Sequence, residues 1–296
     1  MNLRGQAKRY TAVKLFLITC LCVLFCFTNF EATAFAMPFY QLEPQKIVER
    51  AQFYTSYKAS SEERKNNIYI AAKSLNGTLV PSGEEFSFNR TVGERTEKRG
   101  YKKAKIIVGG EFVDGIGGGV CQVSTTLYNA LLLAGLKILE YHPHSLPVSY
   151  VAPSFDAMVN SVWADLRFIN NTKNPIIIYT VADGERLTVK IFGQKMEEKI
   201  ERKSVVIEEI PAPENLVVYD DSGEFPDLYE GESMVIKNGA KGYKSEGYLK
   251  ITKNGKTSMV KVRTDKYAPM RGKTIVGRAE RPILEQPTED IEQTTN

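Results

Sequence analysis

Cys121 follows Gly117-Gly118-Gly119 and precedes Val123, Leu127, Leu131 and Ala134, apolar positions spaced by four, four and three and closed by Gly135. This spacing predicts a buried helix whose first turn carries the cysteine. A thiol is nucleophilic only as its thiolate, and the unpaired N–H groups and macrodipole of a helix N-terminus favour negative charge. Gly118 and Gly119 would let a substrate carbonyl approach the sulfur, with free N–H groups placed to stabilise an oxyanion. The chain has two histidines, His142 and His144, both just beyond the helix. A returning strand would bring them beside its start, the pairing of thiol and imidazole that thiol enzymes use to activate sulfur. Asp156 and Asp165, on the next segments, are the residues able to orient such a ring.

Simpler readings compete at each position. An isolated cysteine in a buried helix often serves as a small core residue. Either histidine can be structural, and Pro143 between them makes a turn plausible. Cys121, His142 and His144 could instead ligate zinc, but they offer three ligands on mixed spacing with no second cysteine. The expectation is therefore no metal and no cofactor. Ser124, Thr125 and Thr126 have the residue type of nucleophiles, yet hydroxyls early in a helix mostly cap or pack.

The elements that must position these residues read as a mixed α+β unit followed by an all-β one. Ser60 with Glu63 forms a capping-box pattern, and Ile68, Ala71, Ala72 and Leu75 recur at helical spacing until Asn76-Gly77, predicting a helix over 61–75. Short strands and turns are expected over 78–114, and further strands at 146–151, 162–169 and 175–181. The first unit is expected to end near Phe192. Charged residues 195–203 read as a linker, residues 204–278 as a small elongated β-module punctuated by glycines, and 279–296 as a polar, disordered tail.

Arg4, Lys8, Arg9 and Lys14 precede an apolar run, 15–27, and then Ala34-Phe35-Ala36, the pattern of a secretory signal peptide over 1–36. The run is well short of the roughly 20 residues that cross a bilayer comfortably, so cleavage is the first reading and an uncleaved anchor through 15–27 the second. Removing this leader takes away Cys20, Cys22 and Cys26 and leaves Cys121 as a lone thiol in an oxidising compartment, where unpaired cysteines are unusual. It also removes four basic residues and Glu31, so the formal +4 of the whole chain falls to 35 Lys and Arg against 34 Asp and Glu. No clustered basic face points to nucleic acid.

The stretch 86–181 resembles a VanW domain. The residues that carry the likeness are Phe86-Ser87-Phe88-Asn89, Val92-Gly93-Glu94-Arg95-Thr96, Gly100-Tyr101, the block from Gly117 to Ala130 centred on Val120-Cys121-Gln122-Val123-Ser124-Thr125-Thr126, His144 to Tyr150, and Asp156-Ala157. The chain departs from the family pattern at Phe155, where glycine is usual, and at Met158, where a small hydroxyl residue is common. The resemblance implies an exported cell-envelope protein, in some members an L,D-transpeptidase acting through the motif cysteine. Carried over, it makes Cys121 the acyl acceptor and His144 a better base than His142. Gly118, Gly119, Gln122, Ser124, Tyr128, Arg95 and His142 would then line or charge the substrate site.

Residues 204–278 are similar to a G5 domain, with Gly231, Gly239, Gly242, Asn254-Gly255 and Ile275-Val276-Gly277 where that pattern expects them. A G5-like module implies attachment to N-acetylglucosamine-containing polymers. The partners implied overall are peptidoglycan stem peptides and glycan. The function expected is a cysteine-dependent peptidoglycan acyltransferase, or a hydrolase if water resolves the thioester. The alternative is a non-catalytic wall-binding protein.

Overall fold

The computed structural model describes residues 47–280. The leader, its apolar run and the tail beyond 280 lie outside them, while Ala279 still bonds Leu228 and Glu230 through the backbone. The described chain is mostly β-sheet with few helices.

Strand β1 (Ile47–Ser56), which the sequence pattern did not predict, opens an antiparallel sheet with β2 (Thr78–Val80), β8 (Ile176–Ala182) and β9 (Arg186–Gln194), ordered β1-β9-β8-β2. Alternation decides which face is buried: Ile176 and Ile178 of β8 and Leu187, Val189 and Ile191 of β9 are fully inside. Helix α1 (Glu62–Leu75) packs on this sheet through Ile68, Ala71, Ala72 and Leu75. Its cap is Ser61, one residue later than the capping-box pattern suggested; Ser61 accepts from the Arg64 N–H.

The remaining strands of this region are short. β3 (Glu85–Ser87) runs into a one-turn helix, α2 (Phe88–Val92), and pairs with β7 (Arg167–Ile169), which also pairs with β6 (Lys137–Glu140). The hairpin β4 (Lys103–Val108) and β5 (Glu111–Ile116) leads straight into helix α3 (Val120–Leu133). Buried on nearly all sides, α3 is a central helix with Val123, Leu127, Ala130 and Leu131 fully inside. Residues 141–166 hold no regular strand, contrary to the strand expected at 146–151, and only the end of the one expected at 162–169 forms.

The charged stretch expected to be a linker is partly sheet: β10 (Lys199–Ile210) begins at Lys199 and pairs with β13 (Gly242–Lys253), which pairs with β14 (Lys256–Tyr267). A second three-stranded sheet places β15 (Lys273–Val276) between β11 (Leu216–Tyr219), parallel, and β12 (Ser233–Lys237), antiparallel. Among the described residues no helix is long and apolar enough to cross a membrane.

Candidate functional site

Backbone proximity builds the start of α3. Gly119 caps the helix at φ +110°, a conformation other residues rarely adopt, and makes no side-chain cap bond. A Cβ on Gly118 would stand 2.7–2.8 Å from the Ala104 and Lys105 backbone, so β4 can lie flush against this turn only because the residue is glycine. Gly118 therefore fits the hairpin to the helix and is closed to a substrate by β4, while a Cβ on Gly119 would stand 3.0–3.2 Å from Ile68 and Arg64 of α1. The Val120 and Gln122 N–H groups bond the Gly117 and Gly119 carbonyls, while among the described residues the Cys121 N–H finds no acceptor. Cys121 is the second residue of α3, partly exposed, with its thiol 3.3 Å from the Val159 carbonyl oxygen.

The imidazole of His144 lies near enough to the Cys121 sulfur for each group to shift the titration of the other. Its Nδ1 lies 2.7 Å from Asp156 Oδ2, and the same oxygen accepts the His144 backbone N–H at 2.6 Å, so Nε2 is the ring nitrogen not taken up by the acid. The His144 and Asp156 side chains are 6% and 1% exposed, so ring and acid are both buried. Asp156 Oδ1 accepts from the Tyr267 hydroxyl at 2.5 Å and from Arg263 Nη2 at 3.4 Å.

Helix α3 also sets the position of Asp156. Ser124 Oγ donates to the Ala157 carbonyl at 2.6 Å, Thr125 Oγ1 accepts the Ala157 N–H at 2.9 Å, and Asn129 Nδ2 donates to the Phe155 carbonyl at 2.8 Å. The backbone on both sides of the acid is thus tied to the helix that carries the thiol.

The electrostatics follow from these contacts. Burial pushes the Cys121 thiol up, but the hydrogen bond and charge of His144, with Arg95 beyond, outweigh it and the thiol is lowered from its ordinary 9.0. Burial likewise opposes a charged His144, yet bonds to Asp156 and Cys121 raise it from 6.5 to about 9. Asp156, despite desolvation, is held below the usual carboxylate range by His144, Arg263 and Tyr267. Both shifts run in the same direction, toward an ionised thiol facing a charged ring.

The other residues singled out in the sequence fall elsewhere. Asp165 does not reach the imidazole: it accepts from Ser87 Oγ at 2.5 Å and the Asn89 N–H at 2.8 Å, fastening the start of α2. Its link to the site is indirect, because Asn89 Oδ1 accepts from Arg95 Nη2 at 2.6 Å and the Arg95 charge acts on Cys121. His142 bonds Glu140 at 3.0 Å and meets Trp163 edge-on with ring centroids 5.1 Å apart, so it does not join Cys121 and His144 in a metal site. Among the described residues no group of His, Cys, Asp and Glu could hold a metal ion.

Gln122 is buried and braces α3 against β1, donating to Thr55 Oγ1 and the Ser56 carbonyl while accepting from Arg64. Ser124 is fully buried in the clamp just described. Tyr128 is inside, packed against Tyr141 at 5.8 Å, its hydroxyl pushed up to about 12 by burial. Gln122, Ser124 and Tyr128 shape the site from behind and are closed to substrate. Phe155, at the departure from the family pattern, is buried beneath the Arg202 guanidinium. Sequence reasoning missed Tyr150, whose hydroxyl is pushed up by burial and by the charges of Cys121 and Asp156. It also missed Arg263 and Tyr267, more than a hundred residues from Asp156 and without a local signal.

A partly exposed cysteine stands beside a buried imidazole that is hydrogen-bonded to a buried carboxylate, the layout of a candidate thiol site. The family model described as VanW like protein matches residues 63–192, the segment that supplies all three residues. The chain is 42% identical over 142 residues to the uncharacterized protein YoaR of Bacillus subtilis, covering 48% of this chain and 47% of that protein. It is 32% identical over 139 residues to the vancomycin B-type resistance protein VanW of Enterococcus faecalis, covering 45% of this chain and 50% of that one. The chain thus spans about half the length of the curated relatives it matches. Two solved G5 domains, from HP0197 and from an IgA1 protease, are 20% and 23% identical and cover 28% and 30% of this chain and all of their own. Their TM-scores of 0.16 and 0.18 carry no weight for the fold of the C-terminal sheets.

Proposed function

We propose that the protein is a cell-envelope thiol acyltransferase acting on peptidoglycan stem peptides, with Cys121 as nucleophile, His144 as general base and acid, and Asp156 as the group that orients the ring. The observation that carries this reading is the buried His144–Asp156 hydrogen bond at 2.7 Å with the partly exposed Cys121 thiol beside the ring. The VanW-like match, and the vancomycin resistance for which one relative is named, support a role at the cell wall.

The Cys121 thiolate attacks the carbonyl carbon of an L,D-peptide bond, forming the C–S bond and placing the electron pair on oxygen. The Cys121 N–H at the start of α3 is placed to receive that oxyanion. The C–N bond then breaks and the His144 imidazolium passes its Nε2 proton to the leaving amine, giving a thioester and a released D-amino acid. The amine of a second stem attacks the thioester, His144 takes its proton, and the thiolate is restored. Asp156 remains ionised, keeping Nδ1–H pointed at Oδ2. Arg95, half-buried and hydrogen-bonded to Asn89 rather than ion-paired, offers positive charge beside the sulfur for a substrate carboxylate. The β-module beyond Lys199 would hold the protein on wall glycan.

The test is incubation of the purified protein with tetrapeptide- and pentapeptide-bearing muropeptides, read by mass spectrometry beside Cys121→Ala. Cross-linked or trimmed products that need the thiol are the expected result. Unchanged muropeptides in both samples, with the protein folded and retained on cell walls, would replace this reading with the non-catalytic wall-binding one.

A further inference from the structure

Strand β14 reaches the carboxylate that orients His144. Arg263 Nη1 donates to the Asp156 carbonyl at 2.6 Å and Nη2 to Oδ1 at 3.4 Å, while Nε donates to Asp265 Oδ2 at 2.6 Å. Tyr267 gives its hydroxyl proton to Asp156 Oδ1 at 2.5 Å and accepts the Ser154 N–H at 2.7 Å. The Arg263 side chain is fully buried and that of Asp265 nearly so. Asp265, Arg263, Asp156, His144 and Cys121 thus form a row of alternating charge when the thiol is ionised.

The contact is fitted on the backbone as well. A Cβ on Gly247 of β13 would stand 2.7 Å from the Ser154 carbonyl oxygen, and Ser245 and Ser204 bond Ser154 and the Pro153 carbonyl, each at 2.7 Å. Ser154 itself has φ +60°, a conformation that costs a non-glycine residue energy and is held only when its surroundings fix it. An interface that merely joined two units would need apolar cover. It would not need two polar side chains aimed at one oxygen of one carboxylate.

We infer that the C-terminal β-module completes the thiol site, with Arg263 and Tyr267 as positioning residues that fix Asp156 so that Oδ2 faces His144. With Oδ1 held by β14, the carboxylate cannot rotate away from the ring. Cys121 activation then depends on residues far outside the VanW-like segment. The inference rests on the reading of Cys121, His144 and Asp156 as a reactive series. The ionisable groups involved are few: His144, Arg263, Tyr267 and Tyr150 face Asp156; Asp265, Tyr128 and Tyr141 face Arg263; His144, Arg95 and Tyr150 face Cys121.

The experiment is the pH dependence of iodoacetamide alkylation of the full chain, followed at the Cys121 peptide by mass spectrometry, for wild type, Tyr267→Phe, Arg263→Lys and Lys261→Ala. Lys261 sits on the same strand in a surface ion pair with Glu246 and serves as control. Tyr267→Phe and Arg263→Lys are expected to raise the alkylation midpoint by about one pH unit, a tenfold fall in thiolate below it, with unchanged circular dichroism. Lys261→Ala is expected to leave the midpoint alone. If Arg263→Lys does not fold, Tyr267→Phe decides. A folded Tyr267→Phe with the wild-type midpoint overturns the inference while leaving the site reading intact. A wild-type midpoint at the ordinary thiol value overturns the site reading and this inference with it.

Discussion

Asp156→Asn probes the buried half of the site with almost no change in volume. The carboxylate accepts from His144 Nδ1 and the His144 N–H at one oxygen and from Tyr267 and Arg263 at the other. An amide can accept at one end only, so a donor meets a donor whichever way it is placed. His144 is carried from 6.5 to about 9, roughly 3 kcal/mol of preference for the imidazolium, which Asp156 and Cys121 share. Assigning Asp156 the larger part gives it about 2 kcal/mol of pH-dependent stability. Because the histidine is raised, that stability is fully present below pH 6.5 and is lost as pH rises through 9. Asp156 is lowered, so its own contribution is present above the ordinary carboxylate range and disappears only in acid. Urea unfolding of wild type and variant at about pH 6 and about pH 9.5 should therefore show a gap that narrows by about 2 kcal/mol at the higher pH. A remainder persists, set by Arg263, which loses one of its two carboxylate partners at every pH and keeps Asp265. A gap equal at the two pH values would refute the coupling between Asp156 and His144.

Other substitutions separate the site from its scaffold. Asp165→Asn and His142→Ala should leave the pH midpoint of Cys121 alkylation within about 0.3 unit of wild type, and Asp165→Asn should cost about 1 kcal/mol of stability in denaturant through the lost cap on α2. A larger midpoint shift in either would return that residue to the candidate active site. Gly118→Ala drives a methyl into the Ala104 and Lys105 backbone and should cost roughly 1–3 kcal/mol in urea unfolding. A Gly118→Ala protein as stable as wild type would show that β4 and the start of α3 are not in close contact.

Much of the site is legible in the sequence because its signals are local. The apolar spacing of Val123, Leu127 and Leu131 and the glycines before Cys121 outline α3 and place the thiol in its first turn. Choosing Asp156 over Asp165 is not legible locally, since both follow the histidines and either could return to them. The choice is made by Ser124, Thr125 and Asn129, which fasten the backbone around Asp156 to α3, while Asp165 is taken up by Ser87 and Asn89. Residues 146–151 form no strand despite Leu146, Val148 and Val151; Leu146 is buried in an irregular segment that leads to Asp156. Lys195–Lys203 reads as a linker from its charge. However, Ile200 packs against the core and Lys199 already pairs with Thr252, so burial on one face decides for sheet. Arg263 and Tyr267 carry no signal near Cys121 because β14 meets the site only after the chain has folded back.

Intact-protein mass spectrometry after brief mixing with a tetrapeptide-bearing muropeptide, quenched in acid, bears most directly on Cys121 as the acyl acceptor. A mass increase equal to the donor less its terminal D-amino acid, mapped to the Cys121 peptide, sensitive to hydroxylamine and missing in Cys121→Ala, is the predicted result. A donor consumed to products with no adduct on Cys121, or consumed equally by Cys121→Ala, would contradict it.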